Sequence, residues 1–512
     1  MPYVLMSFVA LLALGGATRS GFLSLVISEF IGVAFLVGLL VSPRANGLMR
    51  RPGVWIAPAL LAVVGLVAAI QLAMLALFPV PPSEALLGVG DFLLPTMVQA
   101  QAGYAGASIW EGLSAAIIPV AVFLVVASLT ATERIRWTIA VLAFGGFSVL
   151  LGLLQGVQGP ASPLRPFSVT NPTEAVGLFA NRNHYAALLY VTLVLACAWL
   201  PGSAARAMAR HGNRTSAVVW LAIVSALVLA CLAGLAMARS RAGVGLTILG
   251  LLGIGYKVWR SVGAQAPHDV RSGDASGWRR PIRQVATGIV VFSIVFALQF
   301  GLGRILTRFQ DDPLQDLRVP LFWNTLEAAF SAMPFGTGMG SFVGVYASLE
   351  KNHDLIVSYV NRAHNDFLES FLEVGVFAPV ALVVFALWLV SRARDISGGL
   401  SAQRRGLENM ADLQFAALLA ILLLLAHSWV DYPLRTGTLA ALFAFLCALL
   451  TPPTPEAAPA IQDPSRSKSR VKPKRRNPVV EVEKQADVAA TSWKNSTSIP
   501  SEWRRGNKNE KP

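Results

Sequence analysis

Apolar residues fall in long uninterrupted blocks along this chain, and the polar residues gather between the blocks. An apolar run of roughly 17–25 residues, coiled as a helix, matches a hydrocarbon layer about 30 Å thick. The pattern predicts twelve spans, at 2–18, 20–42, 53–78, 109–130, 137–155, 177–200, 216–237, 242–256, 284–301, 373–391, 411–430 and 434–451. The first has no basic flank before it and another span follows at once, so it reads as a retained helix and not as a cleaved signal. Composition agrees with the pattern. The chain is 54% hydrophobic and 14% charged, where a soluble chain carries roughly 25% charge. The expected fold class is an all-α polytopic membrane protein of about 12 transmembrane helices. No internal repeat is visible.

Charge adds an orientation. With the N-terminus inside and the spans alternating, each inner segment (43–52, 131–136, 201–215, 257–283, 392–410 and 452–512) carries Lys or Arg, as the positive-inside rule requires. Three stretches then face outward: 79–108, 157–176 and 302–372. The last is by far the longest, one long periplasmic loop, and loops of that length usually have a role. It holds Arg304, Arg308, Asp311, Asp312, Asp316, Arg318, His353, Arg362 and His364. The net charge of +14 is uneven, with Arg466, Lys468, Arg470, Lys472, Lys474 and Arg475 crowded in one segment. A basic tail beside a membrane suits anionic lipid better than nucleic acid. The tail has no apolar period and is expected to be disordered. The expected organisation is therefore N-terminal transmembrane helices over 1–174, a membrane domain over 175–451 and a basic cytoplasmic tail over 452–512. Cys197, Cys231 and Cys447 lie inside apolar runs and read as small core residues, with no disulfide or metal role.

The polar interruptions carry the candidate chemistry. His364 sits where the longest of them meets a new apolar run, and a neutral imidazole there can take a proton from a hydroxyl. Asp366 and Glu369 have the spacing of a capping box at a helix start, and Asp366, Glu369 and Glu373 share one helical stripe. Neither role accounts for His364 or for Asn365. Arg239 and Arg241 flank Ser240 in a short outer turn. They read either as snorkelling cations or as phosphate ligands, since a guanidinium meets phosphate oxygens in pairs. Arg318 is either a solvated charge paired with Asp316 or a second arginine on the same anion. The glycines of Pro334–Phe342 do not have nucleotide-binding spacing and read as a tight, backbone-close turn suited to carrying a lipid head or a sugar. Asn181, Arg182, Asn183 and His184 stand in the mouth of an apolar run, where Asn caps a helix or the group faces a cavity. Between the last two spans, Asp431 is expected to pair with Arg435, and His427 is a weaker candidate for a second catalytic group.

Taken in order, these pieces resemble the O-antigen ligase and O-antigen polymerase superfamily of bacterial membrane glycosyltransferases. The likeness runs from about 175 to 435. It rests on Phe179-Ala180-Asn181 with Asn183, Ser240-Arg241-Ala242-Gly243, Arg318 before Trp323, the turn Phe335–Phe342, Ala363–Glu369, and Glu373 with Gly375. The resemblance implies a fold of the lipid-carrier-dependent glycosyltransferase type and a donor glycan on undecaprenyl pyrophosphate. It implies an acceptor hydroxyl on lipid A core, a glycan or another molecule, and an inverting, metal-independent reaction with no cofactor. Asp311 and Asp312 are adjacent and precede a proline, so they do not form an Asp-x-Asp metal motif. By position His364 matches the family's catalytic histidine, and Arg241 and Arg318 match its pyrophosphate arginines. Arg239 is an extra candidate for that role, and Asn181, Asn183, Asn365, Asp366 and Glu369 are supporting candidates. The expected location is the bacterial inner membrane, multi-pass, with the site on the periplasmic face. A polymerase acting on another lipid-linked repeat fits the same motifs. A lipid-linked oligosaccharide flippase fits the span count, but it calls for charges near the midplane and often for a repeat.

Overall fold

A computed structural model describes residues 2–18, 23–77, 105–169, 171–211, 214–263, 314–349, 360–402 and 408–456, with a few positions between 288 and 299. These residues form α-helices joined by turns, and no β-strand occurs among them beyond one isolated bridge, Thr130 to Thr454. In chain order the helices are α1 (Pro2–Leu14), α2 (Leu23–Leu40), α3 (Ile56–Leu77), α4 (Ala105–Ala115), α5 (Ile117–Ala127), α6 (Ala131–Gln158), α7 (Arg182–His211), α8 (Arg214–Ala238) and α9 (Arg241–Gly263). They continue as α10 (Leu314–Ser331), α11 (Phe342–Leu349), α12 (Asp366–Val374), α13 (Phe377–Ala402), α14 (Glu408–His427) and α15 (Gly437–Leu449).

Seven helical stretches among the described residues are long and apolar enough to cross a membrane. Eleven of the predicted spans fall on helices, though some of those helices are short, such as α1 and α15. The expected span 284–301 and the tail 457–512 lie mostly or wholly outside the described residues. The span expected at 109–130 is two helices, α4 and α5, meeting at Ala116. Helix α6 starts at a capping box of Thr130 and Glu133.

Helix α7 is the axis of the bundle. Tyr185 to Leu195 are almost fully buried on every face, and α7 packs against α6, α8, α9 and α14. A helix that is apolar all round is stable only when enclosed. Helix α15 is enclosed in the same way, against α1, α5 and α14. Close approach of these helices needs small residues. Gly145 of α6 lies where a Cβ would strike the Thr192 side chain of α7. The peripheral helices present apolar side chains outward instead, including Phe30 and Val37 of α2, Leu66 of α3, and Val380, Val383 and Leu387 of α13. An apolar rim of that extent is sound only in contact with lipid. Cys197, Cys231 and Cys447 are buried in the apolar core.

The stretch expected to be one long loop, 302–372, is substantially helical where it is described. It folds into α10, α11 and the start of α12, and α12 packs against both α10 and α11. The reason is local periodicity. Leu321, Ala328 and Ala329 of α10 close on Phe342, Val345, Tyr346 and Leu372, forming a small apolar cluster of their own. Arg304, Arg308, Asp311, Asp312 and His353 lie outside the described residues.

Candidate active site

The turn 335–342 and the Glu373–Gly375 segment form one clamp. Gly336 and Gly375 have φ of +77° and +58°, a region open to glycine at little cost. A Cβ on Gly336 would strike the Glu373 backbone, and one on Gly375 would strike the Pro334 carbonyl. The amides of Thr337, Gly338 and Val376 donate to the carbonyls of Leu372 (2.9 Å), Glu373 (3.0 Å) and Pro334 (3.0 Å). Buried Gln71 of α3 completes the clamp. Its Nε2 donates to the Phe335 and Glu373 carbonyls at 3.0 and 2.8 Å, and its Oε1 accepts from the Met339 amide at 3.1 Å. These amides are therefore engaged with the protein itself. The turn holds the C-terminal end of α12, and its Met339, Gly340 and Ser341 also line a large cavity.

Helix α12 begins differently from its expected capping box. Asn365, not Asp366, is the cap, and its side chain accepts from the Phe367 and Leu368 amides at 3.1 and 3.0 Å. Glu369 turns back to accept from the Ala363 amide and the Arg362 guanidinium, both at 2.9 Å. Asp366 accepts from the Ser428 hydroxyl at 2.8 Å and the Leu434 amide at 3.1 Å. The acids do share one stripe, as their spacing predicts, and Arg435 lies along it. Arg435 donates to Glu373 at 2.7 Å and stands 3.5 Å from Glu369 and 3.8 Å from Asp366.

Charge in this network decides protonation. Arg362 and Arg435 balance Glu369 and Glu373, which leaves Asp366 without a counter-charge of its own. Burial pushes the Asp366 carboxyl up to about 7, against the opposing pull of Arg435, Ser428 and the Leu434 amide. Burial would also raise Glu369, but Arg435 and Arg362 outweigh it and hold that carboxyl below its ordinary value.

Because Arg435 is taken by α12, the expected Asp431–Arg435 pair does not form. Asp431 instead meets His364, with Nδ1 of the imidazole 3.3 Å from Oδ1. The same oxygen accepts from the Tyr432 amide at 2.9 Å. His364 has φ +53°, an uncommon conformation for a residue with a side chain. Its neighbours fix it there. The Ala363 amide is held by Glu369, Asn365 is committed to the cap, and the Asp366 amide donates to the Ser428 carbonyl at 2.9 Å. The His364 side chain is 28% exposed, while that of Asp431 is 1% exposed. Burial would raise the Asp431 carboxyl, but His364, then His184 and His427, outweigh it and hold it well below the usual carboxylate range.

Tyr432 is the hub of the surrounding side chains. Its ring meets His364 edge-on with centroids 5.1 Å apart and His184 edge-on at 4.8 Å. Its hydroxyl accepts from the Asn181 amide group at 3.3 Å. Asn181 also caps α7, accepting from the Asn183 amide at 2.8 Å. The fold thus brings His364, Asn365, Asp366, Glu369 and Asn181 into one region, with Asn183 one turn into α7. Arg318 lies exposed on α10, and its charge acts on His427. The side chain of Asp316 is outside the described set, so the expected pair with Arg318 is not addressed.

Arg239 and Arg241 border a second charged group. Arg239 takes a left-handed backbone, φ +52°, and stands 4.0 Å from Glu174, which also pairs with Arg182 at 3.2 Å. Arg241 opens α9, where the Ser240 hydroxyl accepts from the Gly243 amide at 3.1 Å. Gly243 lies against the Ala186 methyl, so the N-termini of α9 and α7 are side by side.

Sequence reasoning overlooked Gln71, Tyr190 and Tyr432, and it misassigned the partners of Asp431 and Arg435. One glutamine and two tyrosines, Gln71 and Tyr190 inside apolar runs and Tyr432 between two of them, are the only signal that the sequence offers. Buried Gln155 shows the same logic, accepting from the Val176 and Gly177 amides at 3.1 and 2.8 Å to brace the approach to α7.

Fold and site together define a polytopic helical membrane protein with a histidine–carboxylate pair framed by arginines where its helices end. Residues 215–386 match the family model described as O-antigen ligase. That segment, about a third of the chain, is similar to the O-antigen ligase family. The match includes Arg239, Arg241, Arg318, His364 and Glu369. A search of curated proteins gave no match.

Proposed function

We propose that the protein transfers a glycan from undecaprenyl pyrophosphate to an acceptor hydroxyl, as an O-antigen ligase-like enzyme of the bacterial inner membrane. The single observation that carries the reading is the His364–Asp431 pair. A buried carboxylate fixes one ring nitrogen of a half-exposed histidine and leaves the other, Nε2, to meet a hydroxyl. That is the arrangement a general base requires.

In the proposed step the acceptor hydroxyl gives its proton to His364 Nε2 as its oxygen attacks the anomeric carbon from the face opposite the pyrophosphate. The bond from that carbon to the pyrophosphate oxygen breaks, undecaprenyl pyrophosphate leaves as the anion, and the anomeric centre inverts. Arg241 and Arg318 neutralise the leaving charge, so the step is complete without a metal ion. The paired N-termini of α7 and α9 support that assignment, since helix N-termini carry partial positive charge. Arg239, which stands 4.0 Å from Glu174, is the additional candidate for that role. Asn181 and Asn183 order the mouth of α7, while Asn365, Asp366 and Glu369 hold the backbone on either side of His364.

His364→Ala is expected to abolish glycan transfer while the amount of protein in the membrane stays normal. Transfer at the wild-type rate would remove His364 from the mechanism. The assay uses purified protein in detergent with labelled lipid-linked glycan and no sealed membrane. Activity there also separates transfer from transport. A polymerase of the same family shares this chemistry and differs in acceptor. Loss of a ligase leaves long chains on the carrier, whereas loss of a polymerase leaves single repeats on the core.

A further inference from the structure

Behind the His364–Asp431 pair lies a set of buried polar atoms that the proposed transfer does not use. His184 and His427 are fully buried and Asp431 is 1% exposed. Both ring nitrogens of His184, Nε2 of His427 and Oδ2 of Asp431 have no hydrogen-bond partner among the described residues. Leaving such groups unmatched costs stability, and apolar residues of similar volume would pack there more favourably. Their presence therefore calls for a purpose other than holding the fold.

Their placement suggests one. His184 and His427 come from α7 and α14, two different helices, and both act electrostatically on Asp431. His427 is tied from the far side by Tyr190 of α7, whose hydroxyl lies 3.2 Å from its Nδ1. Tyr190 is itself fully buried. A phenol that donates to Nδ1 leaves the proton of a neutral His427 on Nε2. The main chain fixes the spacing, since the Asp431 amide donates to the His427 carbonyl at 3.0 Å.

We infer that Tyr190 and His427, with His184 beside them, are positioning residues for His364, acting through Asp431. The inference rests on the proposed role of His364 as base, but its test does not. His427 and His184 both act electrostatically on Asp431, so part of the carboxylate's charge is offset from behind. Less of that charge then bears on His364. In a low-dielectric setting such coupling is strong. The other groups that bear on this cluster are Arg362, which acts on His184 and Tyr432, Arg318, which acts on His427, and the Tyr432 ring against both His184 and His364.

The experiment reads His364 directly and needs no substrate. Full-length protein with 15N-labelled histidine, in detergent, is titrated by NMR, and the His364 signal is assigned by its loss in His364→Ala. His427→Phe is expected to raise the His364 midpoint by about one pH unit, the scale of strongly interacting sites. Tyr190→Phe should move it the same way by less, and His427→Gln, which keeps a donor, should return it toward the wild-type value. If His427→Phe does not fold, Tyr190→Phe still decides. An unmoved midpoint in every folded variant overturns the inference. Loss of transfer activity with a shifted midpoint would leave this coupling intact and would bear only on the proposed reaction.

Discussion

His364 has its meaning from the residue that faces it. An imidazole at a membrane edge is ambiguous, but one held by a buried carboxylate has a fixed orientation and a defined proton-accepting atom. Asp431→Asn is therefore expected to lower transfer by roughly 10²–10⁴-fold, the range of general base catalysis, with little change in melting temperature. A variant as active as wild type would separate Asp431 from the chemistry. Asp366 makes a different forecast. Its folded pKa, about 7, lies above the ordinary carboxylate value of roughly 4. The folded state then binds more protons than the unfolded one between those limits, so this residue's contribution to stability is full below about pH 4 and is lost as pH rises through 7. Asp366→Asn should flatten that part of a plot of melting temperature against pH in detergent. An unchanged slope would show that the network around Arg435 is balanced in some other way.

At the scale of elements, the short helix α12 matters most. Asn365 starts it, the glycine turn and Gln71 grip its end, and Arg435 lies along its acidic face. The helix is a rigid peg that delivers His364 at its N-terminal edge. Gly375→Ala would place a methyl group against the Pro334 carbonyl in a left-handed backbone, and a loss of about 2 kcal/mol or more is expected. Gly344→Ala is the contrast. That residue lies in α11 with open space around it, and the change should be neutral or stabilising by roughly 0.5–1 kcal/mol. Thermal unfolding of the two variants side by side checks both. Much of this element was readable beforehand, because the acidic stripe and the glycine positions are local patterns. Its cap was misread because Asn365 and Asp366 are both good caps, and only the positions of Ser428 and Leu434 take Asp366 away from that task.

For the whole molecule, the arrangement requires the ends of α7, α9 and α12 to meet on one side of the membrane. The charge pattern predicts that this side is the periplasmic one. Single cysteines at Asn361 and Arg239 should react with an impermeant thiol reagent in intact cells, and one at Arg44 should not, in a background lacking Cys197, Cys231 and Cys447. Labelling of Arg44Cys with protection of the other two would invert the topology and end the proposed reaction. A cavity of about 1820 Å³ opens beside α12, lined by apolar residues of α2, α3 and α13 together with Arg362, Glu373 and Arg435. Its size is in keeping with a lipid-linked substrate.

The sequence by itself determined where the long apolar helices run and which polar residues stand out between them. Membrane burial rewards long apolar runs wherever they occur, and a polar residue near lipid is costly enough to stand out without any knowledge of its partner. What it left open was pairing. Asp431 lies 67 positions from His364, and Gln71 lies 302 positions from Glu373. No local period links residues that far apart. Only the packing of α7, α12 and α14 decided that Arg435 belongs to the acidic stripe and Asp431 to the histidine. A carboxylate takes whichever cation the folded backbone brings within reach.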